Sequence, residues 1–555
     1  MVTITFVAIL LVALLAHRSV EKIGKDVGVL ARVLDSRWIL LVIAALTVTV
    51  VWVSWATWHP FPVVQDEMAY VLQSQIFARG RWALPAPAIP EFFEQPHVLV
   101  VPAVAEKYFP GHALVLTIGS LLGLPALMPL VLHAGIAVSL FIMARRIASG
   151  AIAFLTWVLW LFSPMVLYFG PSFYSEATTT FCWLAGWYAL LEWRTNRRLI
   201  WLLAVAFFTG WAAITRPLTG LAYAIPIGIV VLYDVYKTRR WRDLSFAFAV
   251  GLAVMAILPL WSAQTTGDWR TTPQALYTRL YMPYDVPGFG LVRTPPARAL
   301  TPELVHLNLA YSYAHTRHFP STLPATFVER VKVLSVSVWG TSHGVLLAFA
   351  LLGLLTLTTA TAFAVGSAVF LVLAYLLYAT PASWTLYYYE TVPVFAFLTA
   401  SGFAWAAAVA GATLRQVREG EWRSPRLTKA LTVGALVLCL PGVRALRLIR
   451  VQKRIERLPQ TSFARAVAHI PERKAVVFVR HSPLHDSNVT LVRNSANPSA
   501  ERVWIVYDRG ERENARLLTL APERAPYLFD EVSHTLYELS RRNAHDVPRS
   551  ANAAE

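Results

Sequence analysis

The 555-residue chain has few charged residues and almost no cysteine, and both shortages restrict its class. Only 15% of its residues are charged, 56% are hydrophobic, and the mean hydropathy is +0.51. A soluble chain of this length does not combine such values, which indicate a membrane protein. The two cysteines, Cys182 and Cys439, both fall inside predicted apolar spans. Neither a disulfide framework nor a thiolate metal site therefore follows from them.

Acidic residues are also scarce. The chain has 32 Asp and Glu against 49 Lys and Arg, which gives a net charge of +17. Much of this excess lies in short loops between apolar spans, and no aromatic-basic module accompanies it, so a nucleic-acid partner is excluded. No glycine-rich phosphate loop follows a strand, which argues against a nucleotide-binding fold. The chain also has no internal repeat and no low-complexity tract.

Apolar stretches with at most one charged residue, of about the length that crosses a bilayer, recur along the chain. They predict an all-α polytopic membrane protein of about 12 transmembrane helices, with a small C-terminal α/β soluble domain. The first stretch has no basic n-region and no small-residue cleavage site, so it is predicted as a retained anchor rather than a signal peptide. The predicted spans are 2–16, 38–58, 126–144, 151–169, 177–193, 199–215, 218–236, 244–263, 336–357, 362–379, 391–414 and 430–443.

Lys and Arg cluster in alternate loops, which predicts the orientation because cytoplasmic loops carry the positive charge. The alternation requires that 110–124 lies along the interface as a juxtamembrane helix. The expected location is a bacterial inner or plasma membrane, with the opposite, cation-poor loops outside. The cation-rich loops are 18–37, 145–146, 194–198, 237–242 and 415–429.

The predicted organisation has three parts. An N-terminal anchor and cytoplasmic linker (1–37) precede a transmembrane core (38–446) with outer loops at 59–125 and 264–335. A soluble domain (447–555) follows, and the loop count places it outside, although a basic cluster after the last span favours the inside. The predicted local elements are an interfacial helix at 66–78, strands at Ala475–Arg480 and Val503–Tyr507, and a helix at 527–541.

Three acids lie at predicted membrane boundaries on the outer side. Carboxylates are energetically costly near lipid, so their presence there indicates a function. Asp66 is a candidate general base, and the alternative is a helix N-terminus stabilised by an acid. Glu67 is a candidate catalytic or supporting hydrogen-bond acceptor. Glu176 is a candidate second acid facing Asp66, and its alternative is also helix capping.

Two cations share this side. Lys107 and Arg216 are candidates for binding a phosphate at the lipid surface, and the alternatives are snorkelling and interfacial anchoring. The run Tyr387–Tyr389 is either an aromatic belt or a substrate-lining surface. His315 and His318 form a weak metal pattern that lacks acidic partners, so no metal ligand set is identified.

The order of these features resembles the C-type (GT-C) membrane glycosyltransferases, near the protein O-mannosyltransferases and the bacterial aminoarabinose transferases that modify lipid A. The matching positions run from about residue 38 to residue 414. They are the acidic pair Asp66-Glu67 after a span, Lys107 leading into a juxtamembrane helix, Glu176 opening a later helix, Arg216-Pro217, and the tyrosine-rich turn Tyr387–Tyr389 with Pro393.

This resemblance implies an inverting transfer of a sugar from a polyprenyl-phosphate donor to an acceptor glycan, lipid or protein outside the membrane. Asp66 would be the base, with Glu67 and Glu176 as the other catalytic acids, and Lys107 and Arg216 would bind the donor phosphate. A divalent metal is compatible but not required, since the two cations can serve. The residues expected to line the substrate site are Tyr70, Tyr108, Tyr174, Tyr388 and Tyr389.

Other classes stay open on the sequence. A transporter or flippase of lipid-linked saccharides would also need cations and aromatics at the outer face, but it favours ionisable residues or broken helices at the midplane. A polysaccharide polymerase or ligase uses similar donors and depends on a large outer loop such as 264–335. In a non-enzymatic scaffold, the carboxylates would be dispensable.

Overall fold

The computed structural model describes residues 31–291, 294–340, 343–410, 425–483, 485–486, 488–493 and 495–539. The predicted span 2–16 lies outside these residues. The first half of the described chain is mainly helical, with three short strands in the first outer loop. Its elements are α1 (Trp38–Ser54), α2 (Gln65–Phe77), β1 (Leu84–Pro85), β2 (Val98–Leu99), β3 (Ala103–Glu106), α3 (Gly111–Leu121), α4 (Leu127–Ile147), α5 (Gly150–Leu161), α6 (Pro164–Phe169), α7 (Glu176–Asn196), α8 (Leu199–Thr215), α9 (Pro217–Thr238), α10 (Trp241–Met255) and α11 (Ile257–Thr266).

The second half continues the helices and ends in a small sheet. The turn Thr385–Thr391 is a 3₁₀ helix that leads directly into the helix beginning at Val392. The elements are α12 (Pro273–Tyr281), α13 (Pro302–His315), α14 (Leu323–Trp339), α15 (His343–Gly353), α16 (Ala362–Tyr375), α17 (Val392–Ala410), α18 (Pro425–Ala468), β4 (Ala475–Arg480), β5 (Val503–Tyr507), α19 (Glu511–Leu520), β6 (Ala525–Asp530) and β7 (Thr535–Glu538).

The predicted count of twelve spans is not confirmed. Among the described residues, four helices are long and apolar enough to cross a membrane, or five if the pair Pro320–Trp339 and Gly344–Thr356, bent by 102°, is one span. Several predicted spans are shorter or broken. Span 151–169, for example, is interrupted before Pro164, because proline removes a helical donor and disfavours helix in the residue before it. The four helices are Leu127–Ile147, Pro217–Thr238, Trp241–Thr266 and Leu431–Ala468.

The main core lies between the bundle helices and is rich in buried tryptophan. Trp160, Trp183 and Trp193 are fully buried. Helix α7 packs against α4, α8 and α9, so most of its polar and aromatic side chains face protein. Close backbone approach joins α15 and α17, because a Cβ atom at Gly353 or Gly402 would clash with the facing backbone. Small residues allow such contact between membrane helices.

The predicted interfacial helix 66–78 forms as α2, but protein covers most of it, which corrects the prediction of a lipid-facing helix. Ala69, Leu72 and Ile76 pack in one cluster with residues of the outer loop and the tail. Tyr70 and Val71 pack in another with residues of α1 and α3. The apolar positions of α2 thus reflect burial on several faces.

The tail forms a four-stranded sheet in the order β5-β4-β6-β7. Strand β4 runs parallel to β5 and β6, and β7 returns antiparallel to β6. The strands at Ala475–Arg480 and Val503–Tyr507 are as predicted. The predicted helix at 527–541 is wrong over its described part, because Tyr527 and Phe529 are buried alternately in β6 and 531–534 is the turn of a hairpin.

Helix α18 is 44 residues long and runs continuously through position 446–447, where the core was expected to end. At 1.5 Å per residue it extends for about 66 Å, roughly twice the thickness of a hydrocarbon core. Its last turns lie at the same end of the bundle as α2, where Arg457 donates to the Trp55 carbonyl and Gln460 to that of Val63.

Candidate active site

A cavity of about 1430 Å³ lies between the bundle, the two outer loops and the tail. Seven of the ten predicted site residues line it. Its wall also includes Asp486 and Asn488 from the tail and Thr272 and Asp285 from the second outer loop. The seven predicted residues are Asp66, Tyr70, Lys107, Tyr108, Tyr174, Glu176 and Arg216.

Asp66 lies in the first turn of α2, and its side chain is 36% exposed. The Tyr108 hydroxyl donates a hydrogen bond to its Oδ1 atom. The Oδ2 atom is 3.8 Å from Nε2 of His97, which is too long for a hydrogen bond. One carboxylate oxygen is therefore oriented by a tyrosine, and the other retains its lone pairs at the cavity.

Two titratable residues of the first outer loop, His97 beside Asp66 and Glu106 next to Lys107 in sequence, have shifted pKa values. Burial lowers the pKa of His97 well below its ordinary value, and the Lys107 ammonium lowers it further, so the imidazole is neutral at neutral pH. Glu106 is fully buried, and neither of its carboxyl oxygens has a hydrogen-bond partner. Burial raises the pKa of Glu106, which favours its uncharged form.

Glu67 is buried and does not line the cavity. Its Oε2 atom accepts hydrogen bonds from the backbone N–H groups of Val63 at 2.8 Å and Val64 at 3.2 Å. Its Oε1 atom accepts from the N–H of Phe173 at 2.9 Å. The side chain thus joins the entry to α2 with the segment that precedes α7, and so fixes the backbone on both sides of the site.

We expect Glu67→Gln to lower stability by about 1–3 kcal/mol, because an amide nitrogen would face backbone donors that need an acceptor. The kcat of the folded protein should stay within about threefold of wild type. Thermal unfolding in detergent and a transfer assay measure the two effects. Glu192→Gln is the control, since that carboxylate pairs with Arg146 at a partly exposed position. Unchanged stability with a hundredfold loss of kcat would assign Glu67 a chemical role instead.

Lys107 follows β3 and is only 4% exposed. Its Nζ atom is 3.3 Å from Oδ2 of Asp285, which comes from the second outer loop. The same ammonium lies 5.0 Å from the ring centroid of Tyr108 and 5.3 Å from that of Tyr277. The cation is thus fixed in position at the cavity wall by one carboxylate and two aromatic faces.

Arg216 lies at the junction of α8 and α9, where Pro217 begins the second helix. Its Nη1 group donates to the Glu176 carboxylate, and its Nη2 group donates to the Tyr375 hydroxyl at 2.8 Å. Its Nε atom is 4.0 Å from Oε1 of Glu390. One guanidinium therefore faces two buried carboxylates beside the cavity.

The tyrosines divide into two groups. Tyr70 stacks on Tyr108 with ring centroids 4.8 Å apart, and both line the cavity with Tyr174. Tyr388 and Tyr389 do not line it: Tyr388 accepts from Arg330 at 3.2 Å, and Tyr389 contacts His133 at 3.1 Å. Their neighbour Tyr387 lines the cavity instead.

Among the side chains beside Asp66, Lys107 and Arg216, sequence reasoning missed His97, Asp285, Tyr375 and Glu390. Asp285 lies 178 positions from Lys107, and no local pattern distinguishes it from other loop acids. His315 and His318, the histidines of the weak metal pattern, make contacts away from the predicted site residues. His315 contacts the Tyr284 carbonyl at 2.9 Å, and His318 stacks on Phe289.

Solved structures resemble this chain although the sequences differ widely. ArnT from Cupriavidus metallidurans in the apo state matches with a TM-score of 0.50 and 14% identity over 88% of each chain. The same protein bound to undecaprenyl phosphate matches at 0.48 and 14% over 90% of each chain. The archaeal oligosaccharyltransferase AglB from Archaeoglobus fulgidus, in complex with an inhibitory peptide and a dolichol-phosphate, matches at 0.46 and 11%, over 89% of this chain and 69% of that one.

No protein-family model and no curated protein matches the sequence. The likeness to apo ArnT extends over most of both chains. At this low identity it identifies the architecture alone. The chain has the GT-C fold of membrane glycosyltransferases, which confirms the resemblance drawn from the sequence.

Proposed function

We propose that this protein is a membrane glycosyltransferase that moves a sugar from a polyprenyl-phosphate donor to an acceptor on the extracytoplasmic face. The observation that carries the proposal is the single cavity that combines a tyrosine-oriented carboxylate, Asp66, with two fixed cations, Lys107 and Arg216. In this proposal they serve as a base and two phosphate-binding groups. The GT-C fold supports the assignment independently.

In this proposal the Oδ2 atom of Asp66 removes the proton from the acceptor group as that group attacks the anomeric carbon. The bond between the anomeric carbon and the phosphate oxygen breaks, and the polyprenyl phosphate leaves with the electron pair. Attack opposite the leaving group inverts the anomeric centre. Lys107 and Arg216 stabilise the charge that develops on the phosphate, and fixed charges in a partly dry cavity do this well.

The carboxylates Asp285, Glu176 and Glu390 have a defined part in this scheme. They keep the two cations in place before the donor binds, so little reorganisation accompanies the reaction. The stacked tyrosines Tyr70 and Tyr108, with Tyr174 and Tyr387, offer aromatic surface to the sugar or the lipid. Neither role requires a metal at this cavity.

The test is release of polyprenyl phosphate by purified protein in lipid, supplied with a pool of polyprenyl-phosphate sugars and candidate acceptors. We expect Lys107→Met to reduce kcat/KM for the donor by about 10- to 150-fold, because a charge-assisted hydrogen bond contributes about 1.5–3 kcal/mol. Lys474→Met is the matched control, since that lysine is exposed on the tail.

Loss of Lys107 also leaves Asp285 without its ion partner, so a second variant separates chemistry from folding. Lys107→Met with Asp285→Asn removes both charges and is expected to recover stability without recovering transfer. If this double variant transferred sugar at the wild-type rate, Lys107 would not be a donor-binding residue. If wild-type protein moves an intact lipid-linked saccharide across the bilayer and releases no polyprenyl phosphate, the flippase assignment replaces ours.

A further inference from the structure

A second cluster of polar side chains lies at the carboxyl ends of the parallel strands of the tail sheet. Its residues do not line the cavity. His481 directly follows β4, Glu531 directly follows β6, and Tyr507 ends β5. The register pairs Arg480 with Asp530 and Val479 with Tyr507. Because the three strands are parallel, their carboxyl ends lie side by side and bring these residues together.

Two histidines of this cluster share one carboxylate. Nδ1 of His481 is 3.1 Å from Oε2 of Glu531, and Nδ1 of His485 is 2.8 Å from its Oε1. A carboxylate in this position accepts hydrogen bonds, so both Nδ1 atoms are donors. Each ring is thereby oriented, and each Nε2 atom faces away from Glu531.

The two Nε2 atoms converge on Glu303, the second residue of α13 in the outer loop. Each is 3.8 Å from Oε1 of that residue, beyond hydrogen-bond range, and neither has a hydrogen-bond partner. The side chains are buried, at 4% exposure for His481 and 0% for His485 and Glu303. Tyr507 donates to Glu303 at 3.0 Å.

We propose that His481, His485 and Glu303 bind one zinc ion, which joins the tail sheet to the outer-loop helix α13. Two imidazoles and one carboxylate are a ligand set that zinc uses, at bonds of about 2.0–2.2 Å. The three candidate ligand atoms lie within 4.8 Å of one another. In a tetrahedral site such atoms are about 3.4 Å apart, so a contraction of the cluster would bring these three to ligand spacing and leave the fourth position for a water molecule.

The surrounding contacts fit this assignment better than an ion-pair network without metal. A carboxylate that accepts from the second ring nitrogen of a metal-binding histidine fixes its tautomer and raises its basicity, which is the position of Glu531. The His481 and His485 rings lie 4.1 Å apart, so two imidazolium charges would repel. A shared cation instead uses both Nε2 lone pairs and satisfies atoms that are otherwise unpaired and buried.

The zinc site would fix part of the cavity wall. Leu307 and Tyr311 lie one and two helical turns after Glu303, on the same face of α13, and both line the cavity. On the tail side, Asp486 follows His485 directly and also lines it. Joining these two segments through one ion sets the distance between them, so the metal acts on the shape of the site and not on the reacting atoms.

Metal content and thermal stability test the proposal in the full-length protein, whatever its activity. We expect about one zinc per chain after purification without chelator, measured by inductively coupled plasma mass spectrometry. Removal of zinc by a chelator should lower the Tm by about 5 °C, and added Zn²⁺ should restore it. Absence of zinc from the purified protein, together with no Tm response to Zn²⁺, would overturn the proposal.

Variants locate the ion. His481→Ala and His485→Gln should each abolish stoichiometric zinc and the Tm response, whereas Glu531→Gln should weaken zinc affinity by about 10- to 100-fold. His469→Gln is the control, because that histidine is exposed directly after α18 and its ring contacts the Arg465 carbonyl, away from the cluster. Full zinc content in both ligand variants would place the metal elsewhere and contradict the assignment. If a ligand variant fails to fold, the wild-type chelation experiment still decides.

Discussion

Asp66→Asn is expected to reduce sugar transfer at least about a hundredfold and up to ten thousandfold, with the fold retained. General-base catalysis contributes typically 10²–10⁴-fold, and asparagine has no basic oxygen. The amide keeps the shape of the carboxylate, and its oxygen still accepts from the Tyr108 hydroxyl. Thermal unfolding should therefore change little, and kcat should fall far more than donor KM rises.

The measurement is polyprenyl phosphate release by matched amounts of folded wild type and variant in lipid. Asp243→Asn is the control, because that aspartate pairs with Arg240 at a partly exposed position away from the cavity. An Asp66→Asn protein with a wild-type rate would show that the carboxylate serves only to stabilise the start of α2. An equal loss in the control would point to a preparation fault and not to a base.

Arg216→Gln is expected to affect both stability and transfer. It leaves Glu176 and Glu390 buried without their cation, and breaking a buried ion pair costs about 3–5 kcal/mol. Transfer by the protein that still folds should fall at least about a hundredfold, because the leaving phosphate loses a fixed positive charge. Arg146→Gln is the comparison, since its pair with Glu192 is more exposed and such pairs contribute about 0–1 kcal/mol.

A double variant distinguishes the two effects. Arg216→Gln with Glu176→Gln removes one buried negative charge together with the cation, so the Tm should recover in part while transfer stays low. Recovery of both would mean that Arg216 serves only to neutralise Glu176. A low Tm with normal transfer in the single variant would exclude the arginine from donor binding while leaving its packing role intact.

Apolar patterning predicted the regular elements well where one segment forms one element. The span at 199–215 and the strands at 475–480 and 503–507 have the predicted bounds. The helix expected at 527–541 was wrong over its described part, because the strand-turn-strand pattern of β6 and β7 is short and its charged turn also suits a helix. The span count failed where proline or a sharp bend divides an apolar run.

The candidate site was predicted in part. Boundary acids and cations on one predicted side pointed to Asp66, Lys107, Glu176 and Arg216, and all four line one cavity. Their roles stay predictions. Their ion partners come from distant segments, and only the folded chain brings Asp285 to Lys107. Tyr387 lines the cavity rather than Tyr388 or Tyr389 because side-chain direction within a 3₁₀ turn depends on its tertiary packing.

The long helix α18 connects the helical bundle to the tail, and its length determines how the tail is rotated about the helix axis. Each residue of an α-helix adds about 1.5 Å and turns the chain by about 100°. Arg457 and Gln460 anchor this helix to the residue after α1 and to the approach to α2, eight or more residues before α18 ends. Gain or loss of one residue beyond these anchors would turn the tail sheet by more than a quarter circle. His481 would then face away from Glu303. The number of residues in α18 therefore sets the orientation of the tail sheet relative to the outer loop.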